Sequence, residues 1–277
     1  MNPRIGVLAG LPQDGPAFAK LVAFGVRTCQ LVSWNPAHWT SAAVARVREE
    51  AARENINITS FWCGWPGPTA WNLTEGPTTL GIVPPAHRAV RVKALHAGAD
   101  FAHALGLPAM ITHLGFIPEW PSDPLFAETV AAVKDIALHL KDLGMEFWFE
   151  TGQETPVTLL RLIEVAGTGN LGINLDPANL ILYGKGNPID ALDVFGQYVR
   201  NIHAKDGLYP TDPMKLGREV KVGDGRVRFP AFVQRLAEIG FRGEYIIERE
   251  IRGAQQDEDI RATISYLDHL IATVSTS

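Results

Sequence analysis

The feature that most constrains this chain is an alternation sustained from one end to the other. Short apolar or β-branched runs recur eight times: "RIGVLAG" (4–10), "TCQLVSW" (28–34), "NITSFW" (57–62), "AMITHLG" (109–115), "EFWFE" (146–150), "LGINLD" (171–176), "VRNIHAK" (199–205) and "EYIIERE" (244–250). Amphipathic segments separate them, over 14–24, 40–54, 86–104, 124–143, 155–166, 188–196, 229–239 and 257–274. Several of these finish at a glycine (Gly106, Gly144, Gly240) just ahead of the next run, as helices do when they end in a left-handed residue. Strand and helix in strict alternation call for a parallel sheet with right-handed crossovers. Eight such units fit a closed (β/α)8 TIM barrel better than an open sheet. No linker or charge run divides the 277 residues, so residues 1–277 are expected to form one domain.

Composition narrows the partners. The net charge of −5 comes without any basic stripe, which argues against a nucleic acid. No stretch of about 18 uncharged apolar residues occurs, and "MNPRIGVLAG" lacks a basic region followed by a long apolar run, so no membrane span or leader is expected. Cys29 and Cys63 have no CxxC spacing and form no secreted-type disulfide framework, so a reducing, cytoplasmic home is the expectation.

In a parallel barrel, chemistry sits where the strands end, because the loops leaving those ends form the mouth while the interior below is packed. Four consecutive late strands each deliver a side chain able to bind a metal there: Glu150, Asp176, His203 and Glu248. Their spacings of 26, 27 and 45 residues match one βα unit twice, then one lengthened by the loop from Gly207 to Arg228. Any one of these residues read alone is a cap or a surface ion pair. Three acids converging on one point would be severely unfavourable without a cation, so convergence implies a metal. A set of two Glu, one Asp and one His suits Mn2+, Mg2+ or Co2+, with Zn2+ also acceptable, rather than a thiolate site.

With those residues placed, the chain resembles the xylose isomerase-like TIM-barrel superfamily, which includes ketose 3-epimerases, inosose dehydratase and, more distantly, endonuclease IV. The resemblance runs over nearly the whole chain. It is strongest in "VGDGRVRFPAFVQRLAEIGFRGEYIIERE", with a Gly-acid-Gly turn, a helix, a Gly-aromatic-x-Gly turn and a strand ending in a metal-binding Glu. It implies the ligand set Glu150, Asp176, His203 and Glu248. It further implies that the two glutamates, Glu150 and Glu248, act as an acid/base pair, one taking a proton beside a carbonyl and the other returning one through a metal-stabilised enediolate.

Other site residues follow from strand parity. Lys205 shares His203's side of its strand and is expected at the mouth, against a substrate oxygen; its bland alternative is a solvated lysine. Asn174 and Asn201 lie one layer deeper and are expected to orient the ligands, unless they only satisfy an interior hydrogen bond. For His113, in "THLG", it is the resemblance that implies a place near the substrate; the alternative is a packed side chain. The connection 61–85 is long and carries Trp62, Trp65 and Trp71 among glycines and prolines, which suits a lid or a contact in a homo-oligomer, with Trp62 offering an apolar face to a sugar; the alternative is a hydrophobic plug over the barrel.

Two departures from the ketose 3-epimerases stand out. Where many have Asp-x-x-His, with that histidine touching substrate, this chain reads "DPAN" and places Asn179 in the expected substrate-binding position; where they carry an arginine after the metal histidine, it continues "HAKDGLYPTD". The expected substrate is therefore a modified ketose, keto-acid or keto-inositol rather than a free ketohexose, with an acidic substituent as a partner for Lys205. The expected activity is that of a metal-dependent sugar isomerase or epimerase. A dehydratase using the same metal and base is the alternative. An endonuclease IV-like phosphodiesterase needs more histidines and basic loops, and a non-catalytic sugar-binding barrel would not need the ligand set.

Overall fold

Parallel strands covered on both faces need apolar residues at every position, which is why the predicted strands read as continuous runs rather than alternations. In "LGINL" every residue of the strand is buried. A computed structural model describes residue 2 and residues 4–275. Seven strands arrive in order: β1 (Ile5–Gly10), β2 (Thr28–Ser33), β3 (Asn57–Cys63), β4 (Ala109–Thr112), β5 (Glu146–Glu150), β6 (Leu171–Leu175) and β7 (Val199–Ala204). An antiparallel hairpin of β8 (Asp206–Leu208) and β9 (Arg218–Val220) interrupts the series, and β10 (Tyr245–Ile247) completes it. Each barrel strand pairs in parallel with the next, and β10 closes on β1, giving an eight-stranded barrel in a single domain.

The helices are α1 (Ala19–Phe24), α2 (Ser41–Glu54), α3 (Gly76–Thr79), α4 (Pro85–Leu105), α5 (Pro124–Asp142), α6 (Pro156–Ala166), α7 (Pro177–Leu182), α8 (Pro188–Phe195), α9 (Phe229–Glu238) and α10 (Ala254–Ser275). Local sequence sets their ends. Asp123, Thr155, Asp176 and Asn187 each accept a backbone N–H of the first turn, and each is followed by proline. Among the described residues no helix is long and apolar enough to cross a membrane.

The expected elements form with small shifts. The first helix begins at Ala19 rather than 14, while α3, α7 and the β8–β9 hairpin stand inside stretches read as loops. The long connection after β3 is pinned at its far end to the loop after β4. Gly81 and Gly115 both have positive φ, and a Cβ on either would lie 1.9 Å from Leu114 O or 2.2 Å from Leu80 O. Arg91 on α4, wholly buried, holds the same connection from beneath. Its guanidinium donates to the carbonyls of Pro66, Pro68, Thr79 and Gly81 at 2.6–3.2 Å, and it lies over the Trp65 ring.

Candidate active site and metal centre

The strand register brings the expected ligands to one end of the barrel. Glu150 is the last residue of β5, Asp176 and Glu248 follow β6 and β10 directly, and His203 lies next to last in β7, level with Ile246. One ligand atom from each of Glu150, Asp176, His203 and Glu248 lies within 4.8 Å of all the others. Ligand distances of roughly 2.0–2.6 Å allow donors to stand up to about 5 Å apart across one ion, so the four fit a single coordination sphere.

Asp176 does two jobs. Its Oδ1 caps α7 by accepting the N–H of Asn179 at 2.9 Å, while Oδ2, fully buried, accepts no hydrogen bond. Burial pushes its pKa up to about 7, against the opposing pull of Lys205. A buried carboxylate oxygen without a hydrogen bond, facing two further carboxylates, a histidine and, at 3.5 Å, the Lys205 ammonium, is an environment a divalent cation would satisfy. Glu150 is tightly held: Oε2 accepts the indole N–H of Trp62, and Oε1 lies 3.1 Å from His203 Nδ1, 3.4 Å from Asn179 Nδ2 and 3.5 Å from His113 Nε2. Burial opposes its charge, yet His113 and His203 more than compensate and hold it well below the usual carboxylate range. Glu248 is more open, with 18% of its side chain exposed, and its Oε2 lies 3.0 Å from His203 Nδ1.

His203 Nε2 lies 2.8 Å from Gln30 Oε1, and the Gln30 amide nitrogen donates to Ser60 Oγ at 3.2 Å, which turns the amide oxygen toward the imidazole. In the neutral ring this places the proton on Nε2 and leaves the Nδ1 lone pair facing Glu150 and Glu248. Burial opposes protonation of His203, but the two glutamates hold its pKa well above the ordinary value. A bound cation would displace that second proton.

Asn174 and Asn201 do not orient the ligands as expected. Asn201 donates to Asn174, and neither hydrogen-bonds to a ligand side chain; the amides that do are Asn179, on Glu150, and Gln30, on His203, the latter unmarked by anything in its local sequence. Lys205 is not a solvated lysine but only 2% exposed, with Nζ 2.7 Å from Glu250, 3.4 Å from Asn179 Oδ1 and 3.5 Å from both Asp176 and Glu248. An acidic substituent is thus not needed to give Lys205 a partner. The "AKDG" departure also has a local reason. Asp206 accepts the backbone N–H groups of Gly207, Gly223, Gly225 and Val227 at 2.9–3.1 Å, and a Cβ on Gly225 would sit 2.0 Å from its Oδ1. The Gly-acid-Gly turn therefore wraps a buried carboxylate.

His113 is 4% exposed; its Nδ1 bonds the Glu150 carbonyl at 3.1 Å. It lines, with Trp62, Asn179 and Lys205, a cavity of about 350 Å3 above the ligands. All four residues expected to meet a substrate therefore face one space.

The model of the family described as xylose isomerase-like TIM barrel matches residues 18–270. The crystal structure of a xylose isomerase domain protein from Planctomyces limnophilus is 36% identical, superposes with a TM-score of 0.93 and is covered over 99% of each chain. A xylose isomerase-like TIM barrel protein from Mycobacterium smegmatis, solved in complex with magnesium, shares the fold at 17% identity, with a TM-score of 0.71 over 95% of this chain and 91% of that one. A D-psicose 3-epimerase solved with D-fructose does so at 15% identity, with a TM-score of 0.69 over 97% and 99%. Among curated sequences, an uncharacterized protein of Methanocaldococcus jannaschii is 25% identical over 187 residues, 62% of this chain, and the match spans only 61% of that relative's length.

Proposed function

The chain belongs to the xylose isomerase-like TIM barrel family, and from that membership and its ligand cluster we propose that it is a divalent-metal-dependent isomerase or epimerase of a sugar derivative. The observation that carries this reading is the convergence of Glu150, Asp176, His203 and Glu248 on one point, with Glu150, His203 and Glu248 lining a cavity. Mn2+, Mg2+ and Co2+ suit the three carboxylates and one imidazole. A bound ion would supply the positive charge that acidifies the carbon next to a substrate carbonyl.

The chain's own residues account for the proton traffic. Glu248, the more open carboxylate, is the group placed to take a proton from that carbon, and Glu150 the group to return one from another direction. Lys205, 3.5 Å from Glu248, favours its anionic form before the transfer. Asn179 stands between Glu150 and Lys205 and offers its amide to a substrate hydroxyl. His113 flanks Glu150 and fixes one edge of the space. The test is to incubate the metal-loaded protein with keto-sugar derivatives in deuterated water. Carbon-bound deuterium in an isomer of unchanged composition is the expected result; loss of water would assign a dehydratase, and no exchange over a broad panel would end the proton-transfer reading.

A further inference from the structure

Above the ligand cluster the cavity turns aromatic. Trp62, which touches Glu150, packs against Trp34 with ring centroids 4.8 Å apart, and His113, also beside Glu150, packs against Trp71 at 5.1 Å. Trp34 and Trp71 are thus each one ring removed from Glu150, and they stand edge to face, 6.1 Å apart. Both line the cavity, yet they remain 40% and 41% exposed, while the tryptophans beneath them, Trp62 and Trp65, are buried.

These half-open rings are held in place. A Cβ on Gly64 would lie 2.5 Å from two carbons of the Trp34 ring, so that ring lies flush on a backbone that only glycine leaves open. Trp65 supports Trp34 at 5.1 Å and Trp71 at 6.4 Å, and Trp65 is itself covered by the buried Arg91. Half-exposed indoles that line a cavity and are held by the rings beneath them are surfaces prepared for a flat apolar partner.

Charge narrows that partner further. Among the described residues lining the cavity, Lys205 is the one lysine or arginine, and three carboxylates already surround its ammonium. Glu150, Glu248 and Glu250 line the cavity and Asp176 lies 3.5 Å from the Lys205 ammonium, so carboxylates outnumber lysine and arginine around it four to one. A phosphate or carboxylate on the substrate would meet no spare lysine or arginine among the described lining residues.

Building on the isomerase or epimerase reading, we propose that the substrate is a neutral keto-sugar glycoside, its sugar ring over the ligand cluster beside the packed pair Trp62 and His113 and its second ring stacked on Trp34 and Trp71. A glycoside cannot open to a free carbonyl at its anomeric carbon, so the carbonyl is a ring ketone.

Calorimetry on the metal-loaded protein separates this from the reading it builds on. The probes are methyl and phenyl 3-keto-β-glucopyranoside and 3-ketoglucose 6-phosphate. The phenyl glycoside is expected to bind about tenfold or more tighter than the methyl glycoside, the order expected for one ring stacked on an indole. In Trp34→Ala and Trp71→Ala that ratio is expected to fall toward one, with Trp71→Phe retaining part of it and circular dichroism confirming the fold. The phosphate ester is expected to bind no tighter than the methyl glycoside. Equal binding of the two glycosides, tightest binding of the phosphate ester, or no binding of any probe would overturn the subsite. Deuterium exchange run on the same probes reports on the reaction: binding with the phenyl preference but no exchange sinks proton transfer and keeps the subsite, and exchange without the preference does the reverse.

Discussion

His203 and Gln30 meet across the barrel interior, 2.8 Å apart, from strands β7 and β2 that are not neighbours in the sheet. The contact selects the imidazole tautomer whose Nδ1 is free for a metal, so Gln30→Leu is expected to weaken metal binding by about 10–100-fold, the usual effect of losing the group that orients a metal-bound histidine. Titration calorimetry with Mn2+ measures it; an unchanged affinity would remove Gln30 from the site.

Elemental analysis of protein purified without chelator should find about one divalent ion per chain. Added metal at roughly 100 times its Kd should stabilise the fold by about 2.7 kcal/mol, read as a rise in Tm that EDTA reverses. Asp176→Asn should reduce that rise, and a Tm indifferent to metal and chelator would contradict the centre.

Glu150→Gln and Glu248→Gln should each reduce deuterium exchange below about a hundredth of wild type, because an amide offers an oxygen to a metal but cannot carry the proton, and a positioned acid or base contributes about 10²–10⁴-fold. If either variant keeps more activity than that, two carboxylates do not share the proton transfer.

Arg91 donates to four loop carbonyls from a fully buried position. Arg91→Met should destabilise by about 3 kcal/mol or more, since several hydrogen bonds from a charged donor are lost and buried acceptors are left without partners. Arg91→Lys should recover only part of this, because a point charge cannot span the fork. Thermal unfolding decides, and a Tm within a degree of wild type for both variants would deny the loop its anchor.

Glu154 is buried, and burial raises its pKa to about 7 against the opposing pull of His113 and of nearby backbone N–H groups. Because the folded state holds this proton more tightly than the unfolded chain, stability falls as pH rises from about 4.5 to about 7, and the full cost is present above that. The shift corresponds to roughly 3 kcal/mol. Glu154→Gln should therefore raise Tm clearly at pH 8 and little at pH 5; an equal effect at both would show that Glu154 does not titrate in this window.

Some of this protein is written locally. The barrel was legible because continuous apolar runs and intervening amphipathic segments fix strands and helices through neighbours a few residues away, and glycine and capping residues set their ends. The ligand positions followed from the same logic: once the strands are known, a parallel barrel sends every carboxyl end to one mouth, so Glu150, Asp176, His203 and Glu248 could be named from strand ends alone. What the sequence could not carry were contacts that exist only once the barrel closes. Gln30 is 173 residues from His203, and the pairing of Asn174 with Asn201 depends on the register shift between β6 and β7. Strand parity puts Lys205 at the mouth but leaves a substrate contact and a solvated lysine both open until Glu250, Asp176 and Glu248 enclose it, and Trp34 looks like an ordinary strand end until Gly64 gives its ring a seat. Period and propensity act along the chain, whereas burial, charge pairing and ring stacking depend on distances between segments that only the tertiary structure brings together.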